Sequence, residues 1–496
     1  MIWADRIAKE LKGKPQHVDD MKTPSGYIHT GSLRGPILHD VMYKALKREG
    51  NDAKFTYVFN DFDPIDGLSD DLRKDFTKYL GFPLRTAPSP DGKARSFADF
   101  FALDFKKVLK ELGCEAIYLS SWDMYKEGKF NKVIEEALNN AEKIQDIYQR
   151  VSGSQKRQQG WYPLQVICPN CNKIGTTKVT GWDRKVVTFS CEKNLVKWAV
   201  GCGHSGTISP YDGNGKLPWK VDWAAHWKVL GVTFEGAGKD HASKGGSYDI
   251  AFNLCDEVFH YPRPYYFPYE HFLLGGRKMS SSKGVGLRAS NLTSIIPAEL
   301  GRFLMVRTLP NRAIEFNPEG GTIPDLFDEF DRCAQAYWDR SDPDMARIFE
   351  LSQVNDWYKQ KVYLPRFNSM SQYTHLDLES AYKKAGILFE VEKKIFSQRL
   401  SYYKTWAKTE TKQEVTLTEA QKKYLIKLAK ASELENDPVK LQQTVFDLAK
   451  QENLPVKQAF TAIYISLTGK THGPKAGELL ASFNRDELIK KLTTNK

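Results

Sequence analysis

One short turn near the N-terminus limits what this chain can fold into more than any other segment. It reads Pro24-Ser25-Gly26-Tyr27-Ile28-His29-Thr30-Gly31-Ser32 and runs straight into the helix-like stretch LRGPILHDVMYKAL. Glycine lets a ligand come close to the backbone, and the first turn of the following helix offers free N–H groups and a partial positive charge. His29 adds a side-chain donor for a phosphate oxygen. Such a turn ahead of a helix suits an α/β domain. The next patterned segment agrees: KFTYVFNDFDP reads as a buried strand, Phe55 to Phe59, that ends in acidic loop residues. From Ser96 to Leu112 and from Asn131 to Arg150, apolar positions recur at helical spacing with charges between them.

A second phosphate-handling element follows about 250 residues later, Gly275-Gly276-Arg277-Lys278-Met279-Ser280-Ser281-Ser282-Lys283-Gly284. Clustered cations and hydroxyls between glycines suit a loop that surrounds a pyrophosphate leaving group and stabilises charge growing in a transition state. A solvated basic linker is the plainer reading, and it weakens because the two elements occur together in this order. Between them, Gly236-Ala237-Gly238-Lys239-Asp240-His241 reads as a strand-to-helix loop. Past about residue 290 no further convincing buried strand is read, and from about Leu376 the chain reads as amphipathic helices broken at Pro438, Pro455 and Gly469.

Length and charge narrow the class. A chain of 496 residues exceeds one compact core and implies two to four units. No apolar run approaches the roughly 20 residues that span a bilayer, and the start, MIWADRIAKELKGK, lacks the apolar centre of a secretory signal, so no membrane partner and a cytoplasmic location are expected. The net charge of +11 permits a polyanionic partner. The surplus continues from Ser401 to Lys496, with 16 basic against 11 acidic side chains, which suits either a nucleic-acid-facing domain or a solvated helical surface.

Between positions 163 and 208 the composition turns to short β-rich pieces flanked by cysteine and glycine. Cys168-Pro169-Asn170-Cys171 is followed by Cys191 and by Cys202-Gly203-His204, the spacing of a structural zinc ribbon. Cys168, Cys171, Cys191 and Cys202 are the candidate ligands, with His204 as the alternative to Cys191. A redox pair is disfavoured because no helical pattern starts directly after Cys171 to lower a thiol pKa.

His29-Thr30-Gly31-Ser32 resembles the HIGH signature of class I aminoacyl-tRNA synthetases, and Lys278-Met279-Ser280-Ser281-Ser282 resembles their KMSKS signature. Ser32 stands in place of the final histidine and Ser281 in place of the inner lysine, so either the phosphate contacts are weaker or Arg277 and Lys283 supply the missing charge. Together GKLPWKVDWAAHW, FEGAGKDH, GGSYD and KMSSSKG narrow the likeness, from about Met21 to Pro318, to the lysine-specific members of that class. The resemblance implies an α/β Rossmann-type catalytic domain built on a parallel sheet, with an inserted zinc-ribbon-like module and an all-α C-terminal region. The divisions are 1–162, the insert at 163–208, 209–290 with the second signature, a helical connective region at 291–375, and an anticodon-binding region at 376–496.

It further implies ATP-dependent activation of lysine and its transfer to tRNA, with ATP and Mg²⁺ on the phosphates and a monomeric enzyme. His29, Ser32, Lys278 and Lys283 would act in catalysis. Gly31, Gly236, Gly238, Asp240, Met279, Ser280, Ser281 and Ser282 would bind ATP, Asp240 at the ribose hydroxyls. Gly26, Trp219, His241 and Tyr269 would contact the amino acid or its adenylate. The chemistry of a lysine pocket, carboxylates for an ammonium and aromatic faces for methylenes, independently points to Asp61, Asp63, Asp222, Trp219 and Tyr269. The alternatives are a class I synthetase for another amino acid, such as glutamate, a simpler nucleotidylyltransferase, and a non-catalytic tRNA-binding paralogue.

Overall fold

The Pro24 turn leaves a strand, Gln16–Lys22 (β1), and leads into a helix, Arg34–Arg48 (α1), before the strand Ala53–Phe59 (β2) pairs with β1 in parallel. This computed structural model describes residues 1–154, 160–279, 286–318, 321–409, 417–469, 473 and 475–494. After β2 come a helix, Phe97–Glu111 (α2), capped by the Ser96 hydroxyl on the Asp99 N–H, then strand Ile117–Ser120 (β3) and helix Ser121–Lys126 (α3). The stretch read as one helix from Asn131 to Arg150 is two, Asn131–Asn139 and Ala141–Ser152.

The cysteine-bearing segment forms an antiparallel sheet of Thr177–Trp182 (β4), Val187–Cys191 (β5) and Ser205–Ile208 (β6). Helix Trp219–Leu230 (α4) ends at Gly231, whose φ of +76° closes it, and leads to strand Phe234–Gly238 (β7), helix Ser247–Leu254 (α5) and strand Tyr265–Tyr269 (β8). The main sheet has the order β8-β7-β1-β2-β3, with every neighbouring pair parallel. From β1 the chain moves outward through β2 to β3, then returns to the other side of β1 to add β7 and β8. That reversal opens a crevice beyond the carboxyl ends of β1 and β7, where open parallel sheets take ligands.

Strands Phe272–Leu274 (β9), Arg277–Lys278 (β10) and Ile314–Phe316 (β11) make a small mixed sheet. β11 corrects the reading that no buried strand lies beyond residue 290: Ile314 and Phe316 point inward, but three residues are too few to show a period. All of these elements belong to one unit, Met1–Thr293, Gly301–Phe316 and Arg347–Val354. Inside it the buried Arg302 guanidinium pairs with the buried Asp40 carboxylate and donates to the Leu112 carbonyl at 3.0 Å.

Among its described residues, the second unit is helical apart from its loops. Helix Thr322–Asp339 (α6) is joined to helix Glu390–Thr409 (α7) through Arg399, which pairs with Asp331 at 2.7 Å and donates to the Pro365 carbonyl at 2.8 Å. Five helices then follow, Glu419–Ala431 (α8), Pro438–Gln451 (α9), Val456–Thr468 (α10), Ala476–Ser482 (α11) and Arg485–Thr493 (α12). Thr418 and Gln421 form a capping box at α8, Asp437 caps α9 ahead of Pro438, and Gly469 closes α10 with φ +70°. Their shared core includes Leu425, Leu428, Leu441, Val445, Ile463, Leu480 and Leu488.

Candidate active site

The crevice is a cavity of about 850 Å³, walled by the end of β1, the Gly-His turn, the start of α4, the end of β7 and Tyr269 of β8. Its size suits a nucleotide together with a small second substrate. Of the residues singled out from the sequence, Gly26, His29, Gly31, Ser32, Asp63, Trp219, Asp222, Gly236, Gly238, Asp240, His241, Tyr269 and Met279 all line it. The backbone of Lys278, in β10, pairs with Leu273 in β9. Ser280, Ser281, Ser282 and Lys283 lie outside the described residues.

The two signature segments are tied together by backbone. Thr30 N–H donates to Leu287 O at 2.7 Å, Ala289 N–H donates to Ile28 O at 2.8 Å, and His29 bridges to Arg288. The Arg288 guanidinium lies 3.6 Å from the centre of the Tyr27 ring. Thus both ends of the basic, hydroxyl-rich loop are anchored, at β10 and beside His29. Two glycines sit in close packing here. A Cβ on Gly31 would meet the Met279 side chain at 3.0 Å, and one on Gly286, where φ is +116°, would meet it at 2.4 Å.

The β7 loop separates two uses of glycine. A Cβ on Gly236 would strike Phe267 at 2.6 Å, so that position is fixed by packing, whereas Gly238 has nothing within 4 Å and leaves open space toward the cavity. Asp240 lies 3.2 Å from His271 Nε2. His241 Nδ1 is 3.4 Å from the Ser247 hydroxyl, and its ring sits edge-on to Trp219 at 5.7 Å and to Trp223 at 6.0 Å. Trp219 is half exposed, an aromatic wall open to a ligand.

The acidic residues depart most from expectation. Asp61 does not line the cavity: it is buried, and its carboxylate accepts from the Ser120 hydroxyl at 2.6 Å and the Trp122 N–H at 2.8 Å, at the N-terminus of α3. Asp63 and Asp222 do line it, but the chain supplies its own ammonium. Lys216 Nζ lies 3.0 Å from Asp63 and 2.6 Å from Asp222, while Tyr125 donates to Asp222 and Thr23 donates to Asp63 at 2.7 Å. Burial works against the Lys216 charge, but the two carboxylates outweigh it and raise its pKa. Two carboxylates around one ammonium leave this wall with one net negative charge.

Sequence reading missed Lys216, Trp223, Asp20, Lys22 and Glu235, all of which line the cavity. Glu235 accepts from the Trp223 and Trp227 indoles at 2.8 and 2.5 Å, and burial raises its pKa and that of Asp20. Lys216 lies in the GKLPW segment already singled out, so its own charge was the available signal.

Away from the crevice, the Sγ atoms of Cys168, Cys171, Cys191 and Cys202 lie within 4.8 Å of one another. The Cys168–Cys202 and Cys171–Cys191 separations are 3.6 and 3.7 Å. A tetrahedron with Zn–S bonds of about 2.3 Å has edges near 3.8 Å, so these two separations match such a site and the four thiols could hold a zinc ion. His204 is outside the group; its carbonyl instead accepts the Cys191 N–H at 2.8 Å, and its ring lies 5.8 Å from Phe189.

A nucleotide-sized crevice at the switch point of a parallel sheet, with a glycine-bearing turn before α1, defines a nucleotide-binding α/β protein of the Rossmann type. Comparison with known proteins takes this further. The model of the family described as "tRNA synthetases class I (K)" matches residues 1–355, and that of an anticodon binding domain matches residues 364–495. A lysine–tRNA ligase of Archaeoglobus fulgidus is 33% identical over 499 residues, covering 97% of both chains. Lysine–tRNA ligase 1 of Methanosarcina acetivorans is 34% identical over 529 residues, covering 99% of this chain and 97% of its own. The chain belongs to the class I (K) tRNA synthetase family.

Proposed function

We infer that the chain is a lysine–tRNA ligase. Lysine and ATP form lysyl-adenylate and pyrophosphate, and the lysyl group then passes to the terminal ribose of tRNA(Lys) with release of AMP. The observation that carries this reading is the crevice itself, in which the Gly-His turn, the anchored ends of the second signature and an aromatic wall of net negative charge face one space.

In the first step an oxygen of the lysine carboxylate attacks the α-phosphorus and pyrophosphate leaves. No side chain acts as a nucleophile; the protein contributes position and charge. His29, Ser32, Lys278 and Lys283 meet the phosphates, with Gly31, Met279 and Ser280 to Ser282 completing that subsite. Gly236, Gly238 and Asp240 meet the adenosine. Mg²⁺, arriving with the ATP phosphates, neutralises part of their charge. Gly26, Trp219, His241 and Tyr269 enclose the lysine, and Asp63 and Asp222 act on its ε-ammonium through the net charge left over from Lys216. A structural zinc ion on the four cysteines, a connective role for 291–375 and an anticodon-binding role for 376–496 complete the reading.

Pyrophosphate exchange measured across the twenty amino acids, with and without tRNA, tests it. Lysine alone should support exchange. Exchange with glutamate or another amino acid instead would overturn the lysine assignment, and none with any amino acid would leave only a tRNA-binding role.

A further inference from the structure

Most cavity carboxylates already have donors. Asp63 and Asp222 hold Lys216, Glu235 holds two indole N–H groups, and Asp240 lies against His271. Asp20 differs. It is 7% exposed, lines the cavity, and accepts the Met21 N–H on Oδ1 at 2.9 Å. Its Oδ2 is 3.7 Å from His39 Nδ1, but that ring is no cation. His39 Nε2 accepts the Gly236 N–H at 2.7 Å and so carries no proton, while Nδ1–H donates to Gly35 O at 2.7 Å. The space in front of Asp20 is kept open by Gly35, where a Cβ would lie 2.8 Å from Asp20 Oδ2 and 2.7 Å from the Tyr269 hydroxyl.

Lys22 is two residues along β1, on the same face of the strand, and lines the same cavity. Among the described residues its Nζ has neither a hydrogen-bond nor an ion-pair partner. Burial lowers its pKa, and Asp20 is the charge that works against this. The strand end therefore presents a carboxylate and an ammonium that feel each other's charge but, among the described residues, make no ion-pair contact, both facing the cavity next to the Gly-His turn. An amino acid's backbone carries the complementary pair of charges.

We propose that Asp20 and Lys22 clamp the zwitterionic head of the amino-acid substrate, the Asp20 carboxylate receiving its α-ammonium and the Lys22 ammonium its carboxylate. This rests on the lysine reading given above. The arrangement sets the attacking carboxylate on the side of His29 and Gly31 and sends the side chain toward Trp219 and the negatively charged wall. It also selects for amino acids over amines and acids of the same length.

Calorimetric titration with L-lysine, 6-aminohexanoate, which lacks the α-amine, and cadaverine, which lacks the carboxylate, tests the clamp. One charge-assisted hydrogen bond corresponds to on the order of 10–100-fold in affinity, so the unaltered protein should bind lysine tighter than either analogue by at least that factor. In Asp20→Asn, lysine should fall to the affinity of 6-aminohexanoate, whose own binding is unchanged. In Lys22→Met, lysine should fall to that of cadaverine. An Asp20→Asn variant that weakens lysine and 6-aminohexanoate by the same factor would overturn the proposal, because Asp20 would then be serving the ε-ammonium or the fold. ATP titration of each variant reports folding. Should Asp20→Asn lose ATP as well, Gly35→Ala crowds the same carboxylate from the opposite wall and should likewise abolish discrimination against 6-aminohexanoate; retained discrimination there would overturn the clamp. If the unaltered protein binds and activates an amino acid other than lysine, the lysine reading fails while the clamp is tested by the same titrations with that amino acid's deaminated and decarboxylated analogues.

Discussion

At β1 three side chains are linked. His17 Nδ1 lies 2.8 Å from the Leu230 carbonyl, and Nε2 lies 2.7 Å from the Thr56 hydroxyl oxygen. The Thr56 hydroxyl donates to the Asp19 carboxylate. Burial drives both ends the same way, toward neutrality: it lowers the His17 pKa to about 4 and pushes the Asp19 carboxyl well up. The consequences for stability have opposite signs. The His17 contribution is complete above pH 6.5, its unfolded value, and is lost as pH falls toward about 4. The shift corresponds to about 3 kcal/mol. The Asp19 contribution is complete in acid and is lost as pH rises through its raised pKa. Denaturant unfolding between pH 7 and pH 4 should show the parent losing about 3 kcal/mol more than His17→Asn. Equal slopes for the two would show that His17 is charged in the fold. Contacts of this kind also explain why β1 could not be read from the sequence. QHVDDMK shows no alternation and no apolar run, yet its first five residues are buried, with Gln16 and His17 bonded to groups on neighbouring elements. The residues proposed for the head clamp lie on that same strand, so the signal for half of the amino-acid site was hidden with it.

Among the elements, those whose reason is local were legible. β2 is an apolar strand with an acidic end, the helix after the Gly-His turn is α1, and Pro438, Pro455 and Gly469 each mark a helix terminus. Illegible were relations between distant segments, such as Lys216 occupying the two acids read as free, or Leu287 to Ala289 pinned beside His29. The cysteine-bearing sheet lies between these cases: the CxxC spacing pointed to two of the four cysteines that gather, and only folding could bring Cys191 rather than His204 to them. Its strands β4 to β6 are short, and Cys168 and Cys191 are themselves buried in the core they help to build, so a metal bound there would be coupled to the fold. The purified chain should carry about one zinc ion. Cys168→Ser should lose it, and with it the protection of β4 to β6 from hydrogen exchange, while α8 to α12 keep theirs. A metal-free chain with unchanged exchange in β4 to β6 would eliminate the zinc site.

For the whole molecule, the distribution of cores says which functions can be separated. The apolar cluster from Leu417 to Leu492 is drawn only from α8 to α12 and the residues beside them, and three of those helices carry side-chain caps of their own. Among the described residues, the cavity, by contrast, is lined by none beyond Met279. A fragment starting at Leu417 should therefore unfold cooperatively by itself. Leu428→Ala, at a fully buried position, should cost it about 2–5 kcal/mol, and the same amount in the full chain. The complementary truncation, ending before Leu417, should bind ATP and lysine within about a factor of two of the full chain, a change well under 1 kcal/mol. Charging of tRNA(Lys) should fall by on the order of 10²-fold or more, the effect of losing roughly 3 kcal/mol of tRNA contacts. Measuring both small-molecule affinities and the charging rate on the truncated protein decides the matter. Weakened ATP and lysine binding would mean that the helices after Leu417 support the crevice, and undiminished charging would remove the anticodon-binding role from them.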